Sequence, residues 1–296
     1  MPKEIIFICD KFLDEVKDGG AIYSLEALID VCPYPYKKIR TEDLNFDLIE
    51  QYKDKLWIIS NMTICQPKII DFVAENVKNY IFIESDWKFC CHRSPSLHYT
   101  REAVTCNCKD TLLGQAMHKF IFNAKIIFFK SERHKSMYLD FVPEITTKPL
   151  HVVGAVFSDK DIEDILKLRH APDIPRKDVY VILDHPLKGG QPCIDFCNKN
   201  KIAYEVIPRM LREQLWLKLR QSVGLVYLPT FEDTCSRVVI TALLLDCKLF
   251  INSFVQHRDE LWFNTTNLVE TLIHLQTRKN YFWNIVTTFV DNDYRT

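Results

Sequence analysis

Residues 225–252 read LVYLPTFEDTCSRVVITALLLDCKLFIN, and the alternation inside this stretch decides the fold. An apolar run at 223–228 passes into Pro229-Thr230-Phe231-Glu232-Asp233-Thr234; a second apolar segment follows at 238–245 and a third at 248–252. The outer runs are short and bounded by breakers, as buried strands are. The middle run is long enough for two or three helical turns, with Ser236 or Thr234 to cap its start. The order is therefore strand, polar loop, helix, strand. In such a unit the loop lies at the carboxyl end of the strand, and the helix points its free N–H groups there. Glu232, Asp233, two hydroxyls and Arg237 gather at that spot, which marks it as a candidate anion site.

The same alternation fills the rest of the chain. Upstream, 178–183 reads as a strand, Lys188-Gly189-Gly190 opens a helix to residue 199, 202–207 is a strand and 209–220 a helix. In the first half, strands at 3–9, 55–60, 80–84, 125–130 and 151–156 alternate with helices at 21–31, 41–52, 66–76, 111–122 and 131–140; a helix at 159–168 follows. No hairpin signal interrupts them, which favours mainly parallel sheets. Residues 169–177, RHAPDIPRK, carry two prolines and several charges, as a linker or crossing does. Segments 266–276 and 280–289 read as two terminal helices. The economical architecture is α/β, with two doubly wound, Rossmann-like parallel-sheet domains facing a cleft. Residues 1–155 form the first domain and 156–280 the second, and a last helix, 281–296, packs back on the first.

Composition narrows the function. A chain of 296 residues can bury two cores, and 47% apolar with 26% charged residues is ordinary for a globular protein. The net charge of −1 gives no global pull toward nucleic acid or a membrane surface. No apolar run approaches the roughly 20 residues a membrane helix needs, and MPKEIIFICD is too short a core for a signal peptide. The expectation is a cytoplasmic protein with no membrane span, whose eleven cysteines are reduced. Only 7 of 296 residues are glycine, so a phosphate site has to rely on helix ends and cations.

Weaker signals lie elsewhere. Asp18-Gly19-Gly20 precedes the first helix, and Gly19 and Gly20 permit close backbone approach there or simply a tight turn. Glu84 and Asp86 follow the strand at 80–84, and Asp86 is the better candidate for an acceptor-side role. A long polar loop then runs over 85–110. Cys90-Cys91-His92 and Cys106-x-Cys108 inside it match the usual zinc spacings poorly, so no metal is expected. Arg93, Arg101 and Lys109 make this loop basic, but aromatic interleaving for nucleic acid is thin. Ser131 and His134 read as a cap and a helix-covering residue.

Three stretches carry a resemblance: FEDTCSRVVITALLLDCKLFINSFVQHRDELWF at 231–263, DGGAIYSLEALID at 18–30 and YIFIESDWKF at 80–89. With Lys188-Gly189 opening a helix, they resemble glycosyltransferases of the two-Rossmann GT-B architecture, and more narrowly predicted glycosyltransferases of viral and environmental sequences. Only the C-terminal block is specific. The resemblance implies a virus-encoded enzyme of host cytoplasm, a hexosyl- or pentosyltransferase acting from a nucleotide-sugar donor on a glycan or other hydroxyl acceptor. It implies that the second half holds the donor through Lys188, Gly189, Thr234, Ser236, Arg237 and Thr241. Glu232 or Asp233 would face the sugar, and the acceptor would pass Gly19, Gly20 and Asp86. No cofactor or metal is required, because a helix N-terminus and cations stabilise the departing diphosphate.

Two positions depart from the family pattern. The residue eight after Asp233, where a glutamate would hold the ribose, is Thr241, and Asp184-His185-Pro186 stands where an arginine is usual. A threonine offers ribose a weaker contact than a carboxylate. The sequence therefore also admits a weakened or inactive binding and scaffolding relative. A third reading, an enzyme that glycosylates modified DNA bases, has the near-neutral charge against it.

Overall fold

A computed structural model describes residues 4–14 and 19–293; Asp18 lies outside them, as do residues 1–3 and 294–296. The chain divides into two compact units, 1–156 with 277–296, and 157–276.

The first unit contains β1 (Ile5–Cys9), α1 (Gly20–Ile29), β2 (Tyr36–Arg40), α2 (Phe46–Tyr52), β3 (Leu56–Ile59), α3 (Pro67–Asn76), β4 (Tyr80–Ile83), α4 (Pro95–Glu102), α5 (Leu112–Asn123), β5 (Ile126–Phe129), α6 (Glu132–Phe141) and β6 (Leu150–Val152). All pairings are parallel, in the order β2-β1-β3-β4-β5-β6. Every residue of β1 is buried, the mark of a parallel sheet covered on both faces. The period-2 alternation then divides the strand: Ile6 and Ile8 join the core beneath α3 and α5, while Ile5, Phe7 and Cys9 join the core that includes α1.

The second unit contains α7 (Asp159–Arg169), β7 (Lys177–Leu183), α8 (Gly190–Asn200), β8 (Tyr204–Ile207), α9 (Arg212–Arg220), β9 (Ser222–Tyr227), α10 (Arg237–Leu244) and β10 (Lys248–Ile251). Its sheet is also parallel, ordered β10-β9-β7-β8. Each sheet changes winding direction once, between β1 and β3 in the first unit and between β7 and β9 in the second. Loops leaving adjacent strands in opposite directions open a crevice at their carboxyl ends. The α/β class and the two doubly wound parallel sheets are as expected.

Local structure departs from expectation in four places. β2 is an additional strand; it pairs only through β1, at the sheet edge, and Tyr36 and Lys37 are exposed. The helix expected at 41–52 is a short 3-10 turn, Thr41–Asp43, followed by α2, which Asn45 caps by accepting from Leu48 N–H at 2.9 Å. The loop at 85–110 contains α4 and a 3-10 turn, Cys108–Asp110. The two terminal helices are one, α11 (Leu268–Asp293), because neither proline nor glycine occurs between 268 and 293 to break it.

Candidate functional site

Lys188 leaves the end of β7 on a 3-10 turn, Pro186–Lys188, and Gly189 follows with φ +81 before α8 begins. Glycine is required at this position. The left-handed backbone disfavours any side chain, and a Cβ would stand 2.0 Å from the Leu228 carbonyl oxygen. The turn after β7 is thereby pressed against the end of β9, and Lys188 Nζ reaches Asp233 Oδ2 at 2.8 Å. The Tyr227 hydroxyl donates to the same carboxylate oxygen.

The backbone of Asp233 is fixed as firmly as its side chain. Its N–H donates to Phe254 O at 2.9 Å, and its carbonyl accepts from Gln256 N–H at 3.0 Å. Asn252 Nδ2 donates to Pro229 O at 2.8 Å, clamping the start of the same loop. Burial works against the charge on Asp233, yet the Lys188 ammonium and the bonds from Lys188 and Tyr227 outweigh it and hold the carboxyl below its usual range. Burial opposes the ammonium too, and Asp233 more than offsets that. The Lys188 side chain is 41% exposed, so a charge fixed by Asp233 sits on a side chain that is still partly open to solvent. His257 lies buried near this carboxylate; burial pushes its imidazole down to about 4, and neither ring nitrogen has a hydrogen-bond partner among the described residues.

The other candidates in this unit have distinct surroundings. Ser236 is the N-cap residue of α10 and is buried, but its side chain makes no capping bond; its hydroxyl meets the Tyr227 phenol instead. Thr234 is buried and Glu232 half-buried in the same loop. Arg237 turns to Asp161, which accepts from it at 2.9 Å and from Arg212 at 2.7 Å, and the Arg237 guanidinium lies 3.8 Å from the Phe157 ring centroid. Burial pulls Arg237 down to about 10 despite Asp161. Thr241 is buried within α10. Lys188, Gly189 and the 229–236 loop therefore come together, while Arg237 joins a separate ion-pair cluster.

In the first unit, Gly19 (φ +100) is the N-cap of α1 and Gly20 its first residue, both exposed. Asp86 is held by Lys88 at 3.2 Å and by Arg93. Burial opposes its charge, but these two cations outweigh burial and lower its pKa. Beneath it Glu84 is fully buried and accepts from Ser85 N–H (2.8 Å), Asp86 N–H (3.0 Å), Lys88 Nζ (2.7 Å) and the Tyr138 hydroxyl (3.0 Å). At the winding reversal of this sheet, Asp10 accepts from the Thr41 hydroxyl at 2.6 Å and from Thr63 N–H at 3.0 Å. Ser131 caps α6 by accepting from His134 N–H at 3.0 Å.

Sequence reasoning missed Tyr227, His257, Asp10 and the Lys88–Arg93 clamp on Asp86. The clamp left a trace, as two cations close behind two acids after a strand; Tyr227 and His257 lie in the quoted C-terminal stretches but without a pattern that assigns them a role, and Asp10 belongs to no motif.

No family model matches the chain, and no curated protein matches it. Among solved structures it is similar to the OtsA apo structure, with a TM-score of 0.52 and 9% identity over 94% of this chain and 95% of that one. It is also similar to AviGT4, a glycosyltransferase involved in avilamycin A biosynthesis, with a TM-score of 0.45 and 9% identity over 84% of this chain and 78% of that one. What the chain shares with OtsA is its fold, over nearly the whole length of both.

Proposed function

We propose that the chain is a glycosyltransferase that moves a sugar from a nucleotide-sugar donor to a hydroxyl acceptor, with retention of configuration and no metal at the reacting bond. The observation that carries this reading is the Lys188–Asp233 pair at 2.8 Å, at the winding reversal of the second sheet and three residues before the N-cap of α10. An ammonium on a partly exposed side chain, near the amino end of a helix, suits a diphosphate. The resemblance of residues 231–263 to glycosyltransferases supports the class.

In this reading the glycosidic C1–O bond of the donor breaks with its electron pair on the diphosphate oxygen. A bond forms from C1 to the acceptor oxygen, whose proton passes to the departing diphosphate. Lys188 and the amino end of α10, with Ser236, stabilise the charge that grows on the leaving group. Asp233 is a positioning residue, since its carboxylate is already engaged by Lys188 and Tyr227, and Glu232 is the carboxylate assigned to the sugar. Gly19, Gly20 and Asp86 are assigned to the acceptor. Arg237 serves the second unit by pairing with Asp161 rather than by binding phosphate.

Thr241, buried where family members carry a ribose-binding glutamate, favours a second reading in which the donor binds without turnover. Incubation with a panel of nucleoside-diphosphate sugars separates the two, with nucleoside diphosphate release and melting temperature as readouts. The enzyme releases diphosphate from at least one donor and is protected by it, and Lys188→Met loses both effects. Protection without release supports the binding protein. Neither effect with any donor overturns both readings.

A further inference from the structure

The segment between β4 and α5 gathers four metal-ligating side chains that are scattered in sequence. Seven residues separate Cys90 from His98, and seven more separate His98 from Cys106, a spacing unlike the usual zinc patterns. Two left-handed residues fold the segment back on itself. Arg93 (φ 58) turns the chain after Cys90-Cys91-His92, Ser94 then caps α4, and Ala103 (φ 55) ends that helix and reverses it. His98, in the middle of α4, consequently faces the thiols that precede and follow the helix. Its Nδ1 lies 3.8 Å from Cys90 Sγ and 3.5 Å from Cys108 Sγ, and Cys106 completes a group whose ligand atoms are all within 4.8 Å of one another. His98 Nε2 is buried without a hydrogen bond among the described residues, so the polar outlet of the ring is the nitrogen that faces sulfur.

We propose that Cys90, His98, Cys106 and Cys108 bind one zinc ion in a closed structural site that fixes the segment following β4. A tetrahedral ion with zinc–sulfur bonds of about 2.3 Å and a zinc–nitrogen bond of about 2.0 Å sets its ligands roughly 3.5–3.8 Å apart. The His98–sulfur separations already have that value. Three thiolates and an imidazole suit zinc among the common divalent ions, and four protein ligands leave no position for a substrate. Cys91 and His92 form the rim. The Cys91 thiol is 3.5 Å from Cys108 Sγ but exposed, and His92 Nε2 is engaged by Glu102 at 2.8 Å. The site is anchored to the core at Gly114 of α5, where a Cβ would stand 1.8 Å from the Cys108 carbonyl oxygen. The ion would thus tie the arm that carries Arg93, and through Arg93 the carboxylate of Asp86, to α5.

Metal analysis of the full chain, purified without chelator, is expected to give one zinc per chain. Cobalt exchanged into the same protein should give thiolate-to-cobalt charge-transfer bands and the intense visible bands of a tetrahedral ion. Cys106→Ser and His98→Ala should lose stoichiometric metal, and Cys91→Ser should keep it. Should those variants fail to fold, the cobalt spectrum of the unaltered chain decides alone. A chain that stays metal-free when purified with zinc present overturns the proposal, as does an intact mass showing a disulfide among Cys90, Cys106 and Cys108. Loss of the ion from Cys91→Ser with retention in Cys106→Ser overturns the assignment of ligands.

Discussion

In the proposed reading Lys188 would be worth more to a diphosphate than its charge alone, because Asp233, itself held by Tyr227, fixes where that charge sits. Removing it by Lys188→Met should lower kcat by about 10²–10³-fold, the usual cost of losing one fixed donor to a developing anion. Asp233→Asn keeps the shape but frees the ammonium. It should cost about ten- to a hundredfold in kcat/KM, consistent with one charge-assisted bond. Glu232→Gln should act on kcat with little change in donor KM, and steady-state kinetics of the three variants separate these roles. Equal, small effects from all three would place the chemistry elsewhere. His134 carries a second prediction. Its neutral ring donates from Nε2 to Asp86 O at 3.1 Å and accepts at Nδ1 from Lys130 N–H at 3.4 Å, and burial pushes it down to about 3. An unfolded histidine titrates near about 6.5, so below that pH the unfolded chain takes a proton that the folded ring refuses. The stability this ring confers is whole above that value and drains as pH falls toward 3, by about 2 kcal/mol at pH 5. His134→Phe should begin less stable at pH 7 yet lose less on going to pH 5, by urea midpoints. Parallel pH slopes in the two proteins would refute it.

At the scale of elements, the turn from β7 into α8 aims Lys188, and Gly189 is its weakest point. Gly189→Ala must strain a φ of +81 and relieve a 2.0 Å approach to Leu228 O. The expected cost is about 1–3 kcal/mol for the strained backbone, with donor protection lost although no ligand-facing side chain has changed. Melting with and without a nucleoside-diphosphate sugar checks it, and an undiminished ligand shift would show that the turn does not position the lysine. The same elements explain which parts of the fold were legible. β3, β4 and β5 are buried on both faces, so their four-residue apolar runs stand out from the polar connections around them. β2 was hidden because an edge strand with only Ile39 buried and Tyr36 and Lys37 exposed carries little burial signal. α4 was hidden because His98 is its only buried residue, so it has no apolar stripe to betray it. The thiols around α4 were visible as residues but not as a cluster. Their convergence depends on the two left-handed turns at Arg93 and Ala103, which leave no composition signal. Lys188 and the acidic loop were legible because each directly follows a strand, whereas the pairing of Arg237 with Asp161, 76 residues away, was not.

For the whole molecule, each unit has its own sheet and core, and α11 supplies buried residues to the first unit from the far end of the chain. Phe282, Trp283, Val286 and Val290 are buried in the core that includes Ile5, Phe7 and Cys9. Trp283 Nε1 donates to Leu28 O at 2.9 Å, and its ring stands edge-on to Phe7 at 6.3 Å. Trp283→Ala empties that volume and should destabilise the first unit by about 3–5 kcal/mol. The second unit keeps its hydrophobic cluster of Ile182, Cys193, Cys197 and Val226, and also the Lys188–Asp233 pair. Calorimetry of the unaltered chain should therefore resolve two transitions. Trp283→Ala should lower one of them, and a nucleoside-diphosphate sugar should raise the other, by the same amount in the variant as in the unaltered chain. Stripping metal with a chelator should lower the transition that the tryptophan controls and leave the ligand-sensitive one in place. If a single transition moves under all three perturbations, the units unfold as one body, and the separation of donor binding from the metal-tied first unit is wrong.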